Sequence, residues 1–165
     1  MRTIRIAAGL LALALSGAWA AEPMEHADRV VVNKSKRELV LYKEGVAIRT
    51  YRVALGRNPI GPKERQGDGK TPEGAYTISA RYAASQYHRA LLISYPNTGD
   101  RKRARQLGVD PGGEIMIHGL PNGQGWIGAA HRLYDWTEGC VAVTDAEIEE
   151  IWRMVPNGTA VKINP

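Results

Sequence analysis

One segment of this chain carries the periodicity of a helix that packs on a core, so the core has to be built from strands. Thr144-Asp145-Ala146-Glu147 is a capping box, in which hydroxyl and carboxylate take up first-turn amides that otherwise lack partners. Ile148, Ile151, Trp152 and Val155 follow at i, i+3, i+4 and i+7, one apolar face turned inward. Pro156 and Asn157-Gly158 stop the helix.

The rest reads as short strands. Arg29 to Asn33 is β-branched and ends in polar Lys34-Ser35-Lys36. Leu39 to Tyr42 follows, Glu44-Gly45 makes a turn, and Val46 to Leu55 is a third strand. In that third strand Val46 and Ile48 alternate in one phase and Tyr51, Val53 and Leu55 in the other, which predicts a bulge or bend near Arg49-Thr50. Residues 56–74 hold five glycines and three prolines and read as loop. Ala75 to Tyr82, Ala90 to Ser94, Glu114 to Ile117 and Ala160 to Ile163 complete the strands. The polar stretch 96–113, with Arg101, Lys102, Arg103 and Arg105, reads as a solvated helix or loop face rather than a binding patch. The expected fold is a single β-rich α/β domain with one main packed helix near the C-terminus.

Arg2 and Arg5, the apolar run Ile6 to Leu15 and the small-x-small pattern Ala18-Trp19-Ala20 mark residues 1–20 as a secretory signal cut after Ala20. The run is too short for a bilayer core, which takes about 20 residues, so no integral membrane segment is expected once the signal is cut. Residues 21–27 form a short N-terminal segment and 28–165 the domain. The net charge of +5 falls to +3 in the mature chain, too little to argue for a nucleic-acid partner.

One cysteine in 165 residues excludes an intramolecular disulfide and any zinc site built on several thiolates. An exported protein with a single unpaired thiol is unusual, because oxidising compartments favour pairs. Cys140 is either a small buried residue or a reactive one. Gly139 before it removes side-chain bulk and lets backbone amides approach a developing oxyanion. Of the four histidines, His26 and His88 sit in polar surroundings, and His131 precedes Arg132 in a loop. His118 ends an apolar strand, a rigid place for a proton-transferring group. His118 is the favoured base, with His131 a candidate for substrate contact or support. No His pair stands at metal-ligand spacing on a helix, and no cofactor is implied.

Ile117-His118-Gly119, followed by Thr137-x-Gly139-Cys140-Val141, resembles the signature of the L,D-transpeptidase (YkuD-type) catalytic domain: a His-Gly, then a Ser/Thr-x-Gly-Cys. Thr71-Pro72-x-Gly74 resembles the Thr-Pro-x-Gly turn of such domains, and the likeness runs from about Asp28 to Pro165. It implies a β-sandwich or barrel domain acting on peptidoglycan stem peptides in the periplasm or envelope of a bacterium, in cell-wall biogenesis and cell shape. Carried over, Cys140 is the nucleophile that acylates on a tetrapeptide stem and releases D-alanine. His118 is the proton donor and acceptor, Gly139 lends its backbone to the oxyanion, and Thr137 supports the site. The acyl group then passes to an amine, giving a 3→3 crosslink.

Two positions depart from the pattern: Glu138 stands where a basic or polar residue is common, and Ala142 where Arg or Asn is. The 22 positions from His118 to Cys140 make a long connection. Gly119 opens it, and it brings Trp126, His131, Arg132, Tyr134 and Trp136 as candidates for substrate binding. The same acyl-enzyme resolved by water would make a carboxypeptidase or an amidase releasing wall-linked protein. A non-catalytic wall-binding module is the reading from a different class. The sequence names no protein partner.

Overall fold

The described residues form eight strands, of which all but β7 were expected: β1 (Arg29–Asn33), β2 (Glu38–Lys43), β3 (Val46–Arg52), β4 (Gly74–Ser85), β5 (His88–Ile93), β6 (Met116–His118), β7 (Val141–Ala142) and β8 (Ala160–Asn164). Helix α1 (Thr98–Leu107) lies between β5 and β6, and α2 (Asp145–Met154) between β7 and β8. A 3-10 segment, Gly125–Leu133, kinks at Gly128 (φ 51°). These elements come from a computed structural model that describes residues 25–165. The expected signal, residues 1–20, and the start of the 21–27 segment lie outside the described residues. Ala27 is buried, and its amide donates to the Met154 carbonyl at 2.8 Å.

The strands form one sheet in the order β3-β2-β1-β8-β4-β5-β6-β7, with β1–β8 and β6–β7 parallel and the other pairs antiparallel. The ends of that order meet. Beyond β3, the Ala54 amide donates to the Ala142 carbonyl at 3.0 Å, and the Ala142 amide returns the bond at 2.9 Å. Closing the order in this way removes an unpaired edge at that point. It also brings the start of the Gly/Pro-rich loop against the cysteine.

Alternate residues of the strands point inward: Val30 and Val32, Leu39 and Leu41, Val161 and Ile163 are all buried. α2 covers this core with Ile148, Ile151 and Val155, fully buried, and Trp152 packed beside them. Each such aliphatic side chain contributes roughly 1.5–3 kcal/mol on burial. The capping box is present in both directions, Thr144 Oγ1 accepting from the Glu147 amide and Glu147 from the Thr144 amide.

The bulge in β3 falls at Ile48, one residue before the expected place, where the pairing steps from Leu41↔Arg49 to Tyr42↔Ala47. The polar stretch 96–113 contains a regular helix, α1, with an Asn97/Asp100 capping box and Gly108 (φ 66°) at its C-cap. Its apolar face is nearly absent, with Ala104 and Asp100 the buried positions, so no hydrophobic period could announce it. A polar contact anchors it instead: the Tyr76 hydroxyl donates to buried Asp100 at 3.0 Å.

Lys34, read from sequence as part of a polar turn, is 2% exposed. Its ammonium donates to Glu73 Oε1 (2.7 Å), the Gly61 carbonyl (2.6 Å) and the Thr71 carbonyl (3.1 Å), tying the long loop to the end of β1. All three protons are used, which makes burial of the charge tolerable. Lys34→Met strips the charge partner from Glu73 and should lower stability by about 3 kcal/mol, a fall in Tm of about 10 °C. Thermal denaturation followed by circular dichroism measures this, and a shift of a degree or two would mean that the clamp is not needed.

Candidate active site

Cys140 stands at the end of a turn held by one hydroxyl. Thr137 is buried; its Oγ1 donates to the Cys140 carbonyl at 2.8 Å and accepts from the Gly139 amide at 3.1 Å. Thr137 is itself fixed by the sheet closure, its amide donating to the Leu55 carbonyl and its carbonyl accepting from the Arg57 amide. Gly139 has φ +129°, and a Cβ there would lie 2.5 Å from the Lys70 carbonyl oxygen. Only glycine fits. A Cβ on Gly56 would likewise fall on the Gly69 carbonyl, so loop 56–74 lies backbone to backbone on the cysteine turn. Buried Thr71 accepts the Gly56 amide at 3.0 Å and locks the contact.

The parallel pairing of β6 and β7 sets Ile117 opposite Val141 and His118 opposite Ala142. Cys140 comes directly before β7, and His118 is the last residue of β6, the strand paired with it. Among the described residues the thiol donates to the Glu114 carbonyl, 3.6 Å away, and not to the imidazole. Glu114 has φ 55°, an uncommon conformation for a residue with a Cβ, and it turns this carbonyl toward the sulfur.

His118 is 2% exposed, and its Nδ1 lies 2.7 Å from the Gly119 carbonyl. A carbonyl only accepts, so Nδ1 carries the proton and Nε2 is left as the base. Tyr87 stacks on this ring at 4.3 Å between centroids, and Trp136 meets it edge-on at 5.8 Å. Burial pulls His118 down to about 4, against the Gly119 hydrogen bond and aided by His131. Burial also pushes the Cys140 thiol up to about 11, partly offset by the Met116 amide and Lys63. Both groups are therefore neutral at pH 7, and proton transfer must accompany attack.

Cys140 and Glu138 line a cavity of about 580 Å³, walled by Lys63, Gln66, Asp110, Gly112 and Ile115. A second cavity, about 210 Å³, is lined by Leu120, Gln124, Ile127, His131, Tyr134 and Trp136. Trp136 lines this second cavity; its ring meets His118 edge-on, and its Nε1 donates to His131 Nδ1 at 3.4 Å. His131 thus carries its proton on Nε2, a buried atom with no protein partner among the described residues.

The other expected residues are spread around this centre. Trp126 and Tyr134 are exposed. Arg132 pairs with Glu147 at the start of α2, and Glu138 pairs with Arg57. Gly119 is packed under α2, where a Cβ would lie 2.7 Å from Asp145 Oδ1. The Gly139 amide donates to Thr137 Oγ1 and so helps to shape the turn. Ala142 is fully buried on the closing seam, where a long polar side chain would not fit. Sequence reading passed over Lys63, Glu114 and Tyr87. The Asp-Gly pair at 68–69, a turn signal inside a lysine-bearing loop, was the one hint of Lys63.

A thiol held near 11 predicts that alkylation of the free protein climbs by about tenfold per unit between pH 7 and 9, following the thiolate fraction. Iodoacetamide labelling of Cys140, timed by mass spectrometry, checks this. A plateau below pH 8 would mean a preformed thiolate–imidazolium pair.

Residues 27–163 match the family model of the L,D-transpeptidase catalytic domain, YkuD. YafK of Escherichia coli strain K12 is 30% identical over 133 residues, 76% of this chain and 46% of YafK, so the chain spans about half the length of that relative. YqjB of Bacillus subtilis is 26% identical over 135 residues, 81% of this chain and 69% of YqjB. The helical cell shape determining protein Pgp2 of Campylobacter jejuni superposes with a TM-score of 0.65 at 26% identity, over 85% of this chain and 48% of Pgp2. The match across nearly all the described residues places this chain in the L,D-transpeptidase catalytic domain family.

Proposed function

We propose that the domain is an exported cysteine acyltransferase acting on the tetrapeptide stems of peptidoglycan in the bacterial envelope. The observation that carries this is the Thr137-held turn, which presents Cys140 at a 580 Å³ cavity at the start of β7, the strand paired with the one that ends in His118. His118 Nε2 takes the thiol proton as Sγ attacks the carbonyl of the third stem residue. The Cys140 amide faces the developing oxyanion. The C–N bond breaks, Nε2 returns the proton to the leaving amine of D-alanine, and a thioester remains. An amine of a second stem then attacks the thioester, giving up its proton to Nε2 as the thiolate leaves and is reprotonated.

The acceptor side of the site is assigned to the connection between His118 and Cys140, the stretch that carries Trp126, His131, Tyr134 and Trp136. His131, buried behind Trp136, supports this side of the site, and exposed Trp126 and Tyr134 offer the surface. Arg132 holds the segment to α2 through Glu147, and Gly119 keeps α2 close to the end of β6.

Incubation of the mature protein with tetrapeptide muropeptides, with products read by mass spectrometry, should yield crosslinked dimers that vanish with Cys140→Ala. Tripeptides alone would turn the reading to hydrolysis, and no turnover would remove it. His118→Ala should slow acylation by about 10²-fold or more. His131→Ala should spare acylation and reduce dimer formation; equal losses of acylation from both would displace His118 as the base.

A further inference from the structure

Lys63, in the loop 56–74, is 4% exposed and lines the same cavity as Cys140. An ammonium has three protons to place. Two are placed, on the Arg65 carbonyl at 3.1 Å and Asp68 Oδ1 at 2.9 Å. The third meets no protein acceptor among the described residues. Lys34, equally buried, has all three protons satisfied.

Lys63 and Asp68 form a buried ion pair at 2.9 Å. The Asp68 carboxylate also accepts the amides of Glu64 (2.8 Å), Arg65 (3.1 Å) and Lys70 (3.0 Å). Burial would raise its pKa, but these bonds together with Lys63 bring it down to about 2. The carboxylate is thus held by the lysine and three amide dipoles; the buried pair is close to neutral, and what the lysine has left to offer is its third N–H. The other ionisable side chains of the wall are Asp110, Glu114 and Glu138, all exposed, and Glu138 is already paired with Arg57. Water and salt screen such rim carboxylates, whereas a buried ammonium is screened far less. A buried ammonium with one proton free of protein acceptors, beside the Cys140 thiol, can donate a charge-assisted hydrogen bond to an anionic oxygen.

We propose that Lys63 is the anion receptor of the Cys140 cavity, binding the free C-terminal carboxylate of the residue that leaves. Held there, the peptide lays its last amide over Sγ, and the domain selects amides one residue from a free C-terminus. The identity of the peptide rests on the reaction proposed above, whereas the charge recognition does not require the bond to break.

The test measures binding to the Cys140→Ala protein by calorimetry, using a stem tetrapeptide and the same peptide ending in a carboxamide. The carboxylate form should bind about tenfold tighter, the scale of one charge-assisted hydrogen bond. Adding Lys63→Met should bring the two peptides to equal affinity, and Lys63→Arg should keep the preference. Lys63→Met with Asp68→Asn repeats the test without a stranded carboxylate, should the single change unfold the loop. Equal binding of the two peptides by Cys140→Ala, or a preference that survives Lys63→Met, overturns the assignment. Muropeptide turnover by the unmodified protein decides the reaction separately: its loss with the carboxylate preference intact removes the transferase and leaves the receptor.

Discussion

The site depends on a place where two backbones touch and no side chain fits. Gly139 lies against the Lys70 carbonyl and Gly56 against Gly69, so the loop 56–74 and the cysteine turn form one rigid layer. Two buried threonines hold it, Thr71 from the loop side and Thr137 from the turn side. Everything that gives Cys140 a direction follows from this contact. Lys34 anchors the far end of the same loop to β1, and Lys63 emerges from its middle.

A second constraint is the dryness of the centre. Tyr87 and Trp136 cover His118, and burial holds both the imidazole and the thiol in their neutral forms. Such a pair is quiet toward solvent, and Sγ rests on the Glu114 carbonyl rather than on the base. In the proposed reaction, substrate entering the cavity brings its own polar groups to this centre. Hydrogen bonds of this kind often tighten only when substrate is bound.

Much of the fold could be read from the chain because its signals are local. The strand at 29–33 and the α2 capping box appear where the residues place them. α1 was not legible as a firm helix, since its anchor is the Tyr76–Asp100 hydrogen bond between residues 24 positions apart. The bulge at Ile48 was legible to within a residue, because a change of side-chain phase leaves a trace in sequence.

The sequence by itself determined the chemistry on offer: one thiol, a glycine before it, a histidine at a strand end, and the motif that resembles a known family. Tertiary structure decided who touches whom. It set Arg132 on Glu147, left His131 Nε2 without a partner among the described residues, committed the Gly139 amide to Thr137 and drew Lys63 into the cavity of Cys140. The reason is physical. Helix caps, turns and strand phase are set by neighbours a few residues away. Burial and charge pairing are set by segments that meet only when the sheet closes, Ala54 on Ala142.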